Sequence, residues 1–289
     1  MMRFTILSIF AALALAAVPA HADDQIARGE YLFRAGGCQG CHTAPGGQLL
    51  AGGRALVTPM GTFYGPNITP DPEHGIGRWT DEEFVRALHR GVGRNGEQLY
   101  PVFPYPSFTK MTDADAKAIK AYIFTLPPSS QPNKPHDVPF PFNIRLLLIG
   151  WKWLNFSPGI FHSDPLKSPE WNRGAYLVEA LAHCGECHTP RNLMGGAEYS
   201  RALSGTNQGP DMKPAPNITP DPETGIGKWN ASDLAYFLES GIDPGGDVTG
   251  SVMDEVIQNT TSKLTPDDRR AIATYVLSLP PVVHKVGRK

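Results

Sequence analysis

Cys38-Gln39-Gly40-Cys41-His42-Thr43 and Cys184-Gly185-Glu186-Cys187-His188-Thr189 are two copies of one pattern, C-x-x-C-H followed by Thr. The pattern marks covalent attachment of haem c. Two thiols at this spacing lie under one macrocycle and add across its vinyl groups, and the adjacent histidine swings onto the iron as an axial ligand. A pair of disulfides would also use an even number of cysteines. It leaves the histidine and threonine after each pair unexplained. Zinc would accept the cysteines but has no use for a fixed histidine twice over. Two covalently bound haems consume all 4 cysteines of the chain.

Self-alignment around these anchors shows a repeat. Arg28-Gly29-Glu30-Tyr31-Leu32 matches Arg173-Gly174-Ala175-Tyr176-Leu177. Pro66-Asn67-Ile68-Thr69-Pro70-Asp71-Pro72-Glu73 recurs at 216–223, and Gly75-Ile76-Gly77 with Trp79 recurs as Gly225-Ile226-Gly227 with Trp229. Lys110-Met111-Thr112-Asp113 opens a stretch ending at Leu126-Pro127-Pro128, as Lys263-Leu264-Thr265-Pro266 opens one ending at Leu279-Pro280-Pro281. The expectation is two homologous, mostly α domains at 23–128 and 168–283, each with one covalent haem, joined by a Pro-rich linker with a short apolar helix at 129–167.

Within each domain a first helix leads into the cysteines. A middle helix follows the tryptophan, its acidic first turn (Asp81, Glu82, Glu83; Asp233 in the second copy) favoured by the helix dipole. A last helix is capped by Thr112 or Thr265. Ile119, Tyr122, Ile123 and Leu126 fall at helical spacing and form a core stripe. Gly29 and Gly174 let the first helix cross closely over the last, near Tyr122 and Tyr275. The N-I-T-P-D loops have two readings, structural turns or a wall around the haem propionates.

Residues 1–22 read as a secretory signal peptide. Arg3 supplies the positive end, an apolar run follows from Phe4 to Val18, and Ala20-His21-Ala22 has the small-x-small form of a cleavage site. The run of about 15 residues falls short of the roughly 20 needed to span a bilayer. Export agrees with haem attachment, so the expected location is the periplasm. The formal net charge is −2, and no basic stripe points to nucleic acid. The 30 glycines and 28 prolines suit small domains in which the macrocycle supplies much of the core.

Together, the R-G-x-Y-L, C-x-x-C-H-T, P-N-I-T-P-D-P-E-x-G-I-G-x-W and K-[ML]-T-x-x-D segments cover nearly the whole chain. They resemble the cytochrome c domains of the multihaem cytochrome subunits of bacterial membrane-associated alcohol, aldehyde and gluconate dehydrogenases. The resemblance implies two tandem cytochrome c domains, attached through Cys38, Cys41, Cys184 and Cys187, with His42 and His188 as proximal iron ligands. Those subunits typically carry three haems, and this chain has two. It also implies Met253, in the loop before the last helix, as the sixth ligand of the second iron, because a thioether favours Fe(II). In the first domain the equivalent position falls near Phe103, which cannot bind iron. The candidates are then Met111, eight residues downstream, and Met60, with an open or histidine-ligated iron as the remaining case. Met111 is the preferred candidate, although Leu264 fills its place in the second domain. His89, among charged neighbours, is expected to be solvated.

The linker segment from Ile144 to Phe156 holds two cations and is too short to cross a bilayer. We expect a helix buried between the domains, with contact to a membrane surface or a partner subunit as the alternative. The function implied is periplasmic electron transport, from a dehydrogenase toward a quinone, cytochrome or oxidase, at the inner membrane surface. The alternative is a dihaem redox enzyme, peroxidase-like or acting on sulfur compounds, with an open first iron at the Phe103 position.

Overall fold

A computed structural model describes residues 20–287; the expected signal peptide lies almost wholly outside them. The first domain contains α1 (Ala20–Ala35), α2 (Cys38–His42), a hairpin of β1 (Ala55–Thr58) and β2 (Gly61–Tyr64), α3 (Asp81–Arg90), α4 (Tyr105–Phe108) and α5 (Asp113–Ile123). The linker carries α6 (Leu147–Asn155). The second contains α7 (Pro169–Tyr176), which runs into a π-helical turn at Leu177–Leu181, then α8 (Gly185–His188), α9 (Ala231–Ser240), α10 (Ser251–Asn259) and α11 (Pro266–Leu277).

Local chemistry sets the helix ends. Thr80 and Glu83 form a reciprocal capping box at the start of α3, as Asn230 and Asp233 do for α9. Thr112 and Thr265 accept the third N–H of α5 and α11. The crossing of first on last helix is as tight as the glycines allow. A Cβ built at Gly29 would lie 2.0 Å from the Ala118 carbonyl oxygen, and one at Gly174 would lie 1.9 Å from that of Ala271.

The hairpin was not expected from the sequence. It pairs Ala55 with Tyr64 through Thr58 with Gly61, and the Pro-rich linker lies along it, Thr62 exchanging both backbone bonds with Asp137 (2.8 and 2.9 Å). Phe63, Tyr100 and Leu148 form a small cluster beneath.

The main core is not two cores. Leu32, Phe33 and Ile119 of the first domain belong to one continuous buried cluster with Ala175, Val178, Leu181 and Ile272 of the second. Two polar bonds cross that boundary in mirror fashion. The Tyr31 hydroxyl donates to Asp268 Oδ2 (2.5 Å), and the Tyr176 hydroxyl donates to Asp115 Oδ2 (2.5 Å). Each aspartate also receives the arginine of its own domain: Arg28 on Asp115, Arg173 on Asp268. Each tyrosine oxygen in turn accepts the backbone N–H of the opposite helix cap, Thr265 or Thr112. The repeat R-G-x-Y-L thus packs through its glycine, holds its own domain through its arginine and holds the other through its tyrosine.

The linker helix departs from expectation. Leu148 and Trp151 are buried, but Leu146, Leu147, Ile149, Trp153 and Leu154 are exposed. Its two polar residues, Lys152 and Asn155, lie on the same side as Leu148 and Trp151, against the protein, so the usual reading of the polar side as the outer one points the wrong way.

Candidate haem sites

In both pentapeptides the histidine is anchored by the repeated P-N-I-T segment, 24 residues on in the first domain and 28 in the second. His42 Nδ1 lies 2.8 Å from the Pro66 carbonyl oxygen, and His188 Nδ1 lies 2.8 Å from that of Pro216. A carbonyl can only accept, so Nδ1 carries the proton and the Nε2 lone pair is left for a metal. Burial lowers the pKa of both imidazoles, which favours this neutral form.

The N-I-T loops hold those carbonyls in place. Asn67 Oδ1 accepts from the N–H and hydroxyl of Thr69 (2.9 and 2.8 Å), while its amide donates to the Ser129 and Gln131 carbonyls. Asn217 does the same with Thr219 and Val282. All four side chains are buried. The threonine after each pentapeptide is equally employed: Thr43 Oγ1 accepts from Leu50 N, and Thr189 Oγ1 from Leu203 N. Of the two readings of the loops, the structural one accounts for these bonds, and its effect is to orient the histidines.

The four cysteines are free and half-buried. Burial pushes the thiols of Cys38 and Cys187 up to about 12 and that of Cys184 to about 11. They are protonated thiols at neutral pH, the form whose S–H adds across a vinyl group. A free thiol pair followed by an imidazole with one committed and one uncommitted nitrogen is the donor set that haem c requires.

The segments around Met253 and Phe103 are braced crosswise. Met253 stands on α10 rather than in a loop, because Gly250 is extended and the helix begins at Ser251. Two residues on, Glu255 receives both terminal nitrogens of Arg54 in the first domain (3.0 and 2.9 Å), and a Cβ at Gly40, inside the first pentapeptide, would lie 3.9 Å from its carboxylate. On the other side Ser107 on α4 donates to Glu186, inside the second pentapeptide (2.7 Å), which also pairs with Arg191 (2.6 Å). The segments before the two pentapeptides meet as well, His183 Nε2 lying 3.3 Å from the Gly36 carbonyl oxygen.

Phe103 packs against the main core, its ring 5.7 Å from that of Phe108. Met111 is 1% exposed, and its counterpart Leu264 is 3% exposed. Met60 sits at the hairpin turn, where its methyl carbon would lie 3.2 Å from a Cβ at Gly195, in a loop of the second domain. His89 is not solvated. It lies where α3 meets the start of α5, with Nδ1 3.5 Å from Asp113 and Nε2 enclosed without a partner among the described residues. The sequence pattern does not single out Pro66, Pro216 or the Tyr–Asp bonds, although each stands in a segment that recurs in both halves.

Two helical domains, each presenting thiols and a pre-oriented imidazole, define a c-type cytochrome with two attachment sites. The Cytochrome c family model matches residues 26–127. A "Diheme cytochrome c-type" protein of Cereibacter sphaeroides is 44% identical over 263 residues, covering 89% of this chain and 87% of the relative. The "Fructose dehydrogenase cytochrome subunit" of Gluconobacter japonicus is 44% identical over 260 residues, and the "Gluconate 2-dehydrogenase cytochrome c subunit" of Pantoea cypripedii is 39% identical over 296. The chain covers 88% and 96% of itself in these matches but spans only 52% and 65% of those two relatives. The chain belongs to the family of dihaem c-type cytochromes, with two haem-binding cysteine pairs. Among the described residues, no helix is long and apolar enough to cross a membrane.

Proposed function

We propose that this chain is a periplasmic electron-transfer subunit that takes electrons from a dehydrogenase and passes them to a quinone, cytochrome or oxidase. The observation that carries the reading is the meeting of two complete attachment sites across one fused core, with the residues before each pentapeptide in contact at Gly36 and His183. Haem, once attached, supplies a reversible one-electron couple. The protein supplies fixed ligands and burial, so that little rearranges as charge comes and goes. The cytochrome subunits of dehydrogenases among its relatives support the choice of donor. The redox-enzyme alternative is set aside, because the named relatives are a dihaem cytochrome and cytochrome subunits.

In this reading residues 23–128 and 168–283 are the haem-bearing domains and 129–167 the linker. Cys38, Cys41, Cys184 and Cys187 form the thioethers, and His42 and His188 bind the irons from the proximal side. Met253 completes the second site. Met111, buried just before α5, is the proposed sixth ligand of the first, whereas the end of the Met60 side chain is turned toward Gly195 in the second domain.

Mass spectrometry of the periplasmic protein should give the chain plus two haems. Stepwise reduction should take up two electrons, and the reduced protein should not bind carbon monoxide. A single haem, or carbon monoxide binding at either iron, would overturn this reading in favour of a partial site or an open one.

A further inference from the structure

The linker helix α6 turns a wholly apolar surface to solvent. Leu146, Leu147, Ile149, Gly150, Trp153 and Leu154 occupy its outward arc, and Trp153 is 90% and Leu154 72% exposed. At 100° per residue these six positions cover nearly half the helix circumference. Their only polar side-chain atom is the indole nitrogen of Trp153. Two further rings, Phe140 at 77% exposure and Phe142, project from the turn leading into the helix.

The cations of the segment are turned inward. Arg145 donates to the Gln98 carbonyl (2.7 Å) and lies over the Tyr100 ring at 4.5 Å. Lys152 donates to the carbonyls of Arg90 and Gly91 and to Gln98 Oε1, so it closes the C-terminus of α3 instead of facing water. Long cationic side chains ordinarily keep their charged ends in water. Here both reach into the protein, and the outward arc is left without charge.

That chemistry selects the occupant. A protein–protein interface carries roughly one hydrogen bond per 100–200 Å², and this arc offers a single donor and no side-chain acceptor. The acyl boundary of a bilayer asks for none, and it places tryptophan at headgroup depth beside deeper aliphatic groups. A helix of 9 residues is far too short to span and can only lie flat. We propose that α6 is a lipid-docking helix, which seats this cytochrome on the membrane surface by inserting Leu147, Trp153 and Leu154 among the lipids. With no cation on the docking face, the attachment is apolar: it does not require anionic headgroups, and salt does not release it.

Flotation of the two-haem protein with vesicles tests this. One set is pure phosphatidylcholine, and the other is phosphatidylethanolamine with phosphatidylglycerol. The wild type should bind both, equally at about 50 mM and about 500 mM salt. Leu147→Glu with Trp153→Glu should weaken binding at least about tenfold, two charges having entered the buried face, while the haem spectrum and thermal midpoint of the soluble protein stay as in the wild type. Should the double variant unfold, Trp153→Ser alone serves, with a smaller loss in the same direction. The proposal fails if the wild type ignores both vesicle types, or if binding needs phosphatidylglycerol and disappears in salt. It also fails if sedimentation shows a dimer that the double variant dissociates, because the face would then be a contact between copies.

Discussion

The Tyr31 hydroxyl reaches across 237 positions of sequence to donate to Asp268 at 2.5 Å, and that carboxylate is held from its own domain by Arg173. A tyrosine of one domain is therefore a fastener for the other. Tyr31→Phe removes a hydrogen bond to a charged group and should cost about 1.5–3 kcal/mol. Denaturant unfolding measures it. A midpoint equal to that of the wild type would mean that water replaces the tyrosine without loss.

The same carboxylate makes domain docking sensitive to acid. Burial on its own would raise the pKa of Asp268, but the bonds from Arg173 and Tyr31 outweigh it and hold the group below its ordinary value. A depressed folded-state pKa means that the stabilisation is complete above the unfolded value near 4 and is lost as pH falls through the folded one. Stability should therefore drop below about pH 4. Asp268→Asn should be less stable at pH 7 and lose less on acidification. Equal slopes for variant and wild type between about pH 2 and about pH 5 would assign the acid response to other groups.

Arg54 and Glu255 tie the Met253 helix to the first domain, and their exposures, 21% and 34%, place the pair at the edge of the protein. Such a pair is worth up to about 1 kcal/mol. With Met253 as the proposed sixth ligand, Glu255→Gln should let the oxidised second haem accept added imidazole about fivefold more readily, since a looser helix would yield the thioether sooner. Identical imidazole titrations would show that α10 is held by its packing alone.

Met253→Ala should remove the weak red band of sulfur-ligated ferric haem and lower one potential, because losing a thioether favours Fe(III). Met111→Leu repeats the residue of the second domain and should cost under about 1.5 kcal/mol in packing. It should nevertheless lower the other potential and admit carbon monoxide. If Met60→Leu has that effect and Met111→Leu does not, the assignment passes to Met60.

Features that depend on a few neighbouring residues are legible in the amino-acid sequence itself. The pentapeptides, the caps at Thr112 and Thr265 and the close crossings at Gly29 and Gly174 are of this kind. Other features depend on distance or on context. Tyr31 and Asp268 are far apart in the chain, and only the paired recurrence of R-G-x-Y-L and T-x-x-D hints at their contact. His89 reads as a surface residue from its neighbours, yet the docking of α3 on α5 encloses it. The glycines before Met253 suggest a loop, whereas the helix starts directly after them. In α6 the usual inference from hydrophobicity to burial fails, as it does where a sequence keeps apolar groups outside for a purpose.

The mirrored tyrosine–aspartate bonds carry a consequence for descent. Each half of the chain possesses both partners, Tyr31 with Asp115 and Tyr176 with Asp268. Two copies of either half would therefore contain both groups of this bond, each tyrosine facing the aspartate of its twin, whereas the Arg54–Glu255 and Ser107–Glu186 bonds have no mirror image among the described residues. In its tyrosine–aspartate bonds the boundary has the form of a symmetric homodimer interface, and the fused chain reads as such a dimer made permanent by duplication. Covalent joining leaves the two copies free to differ, and at the repeat position where one has Phe103 the other has Met253.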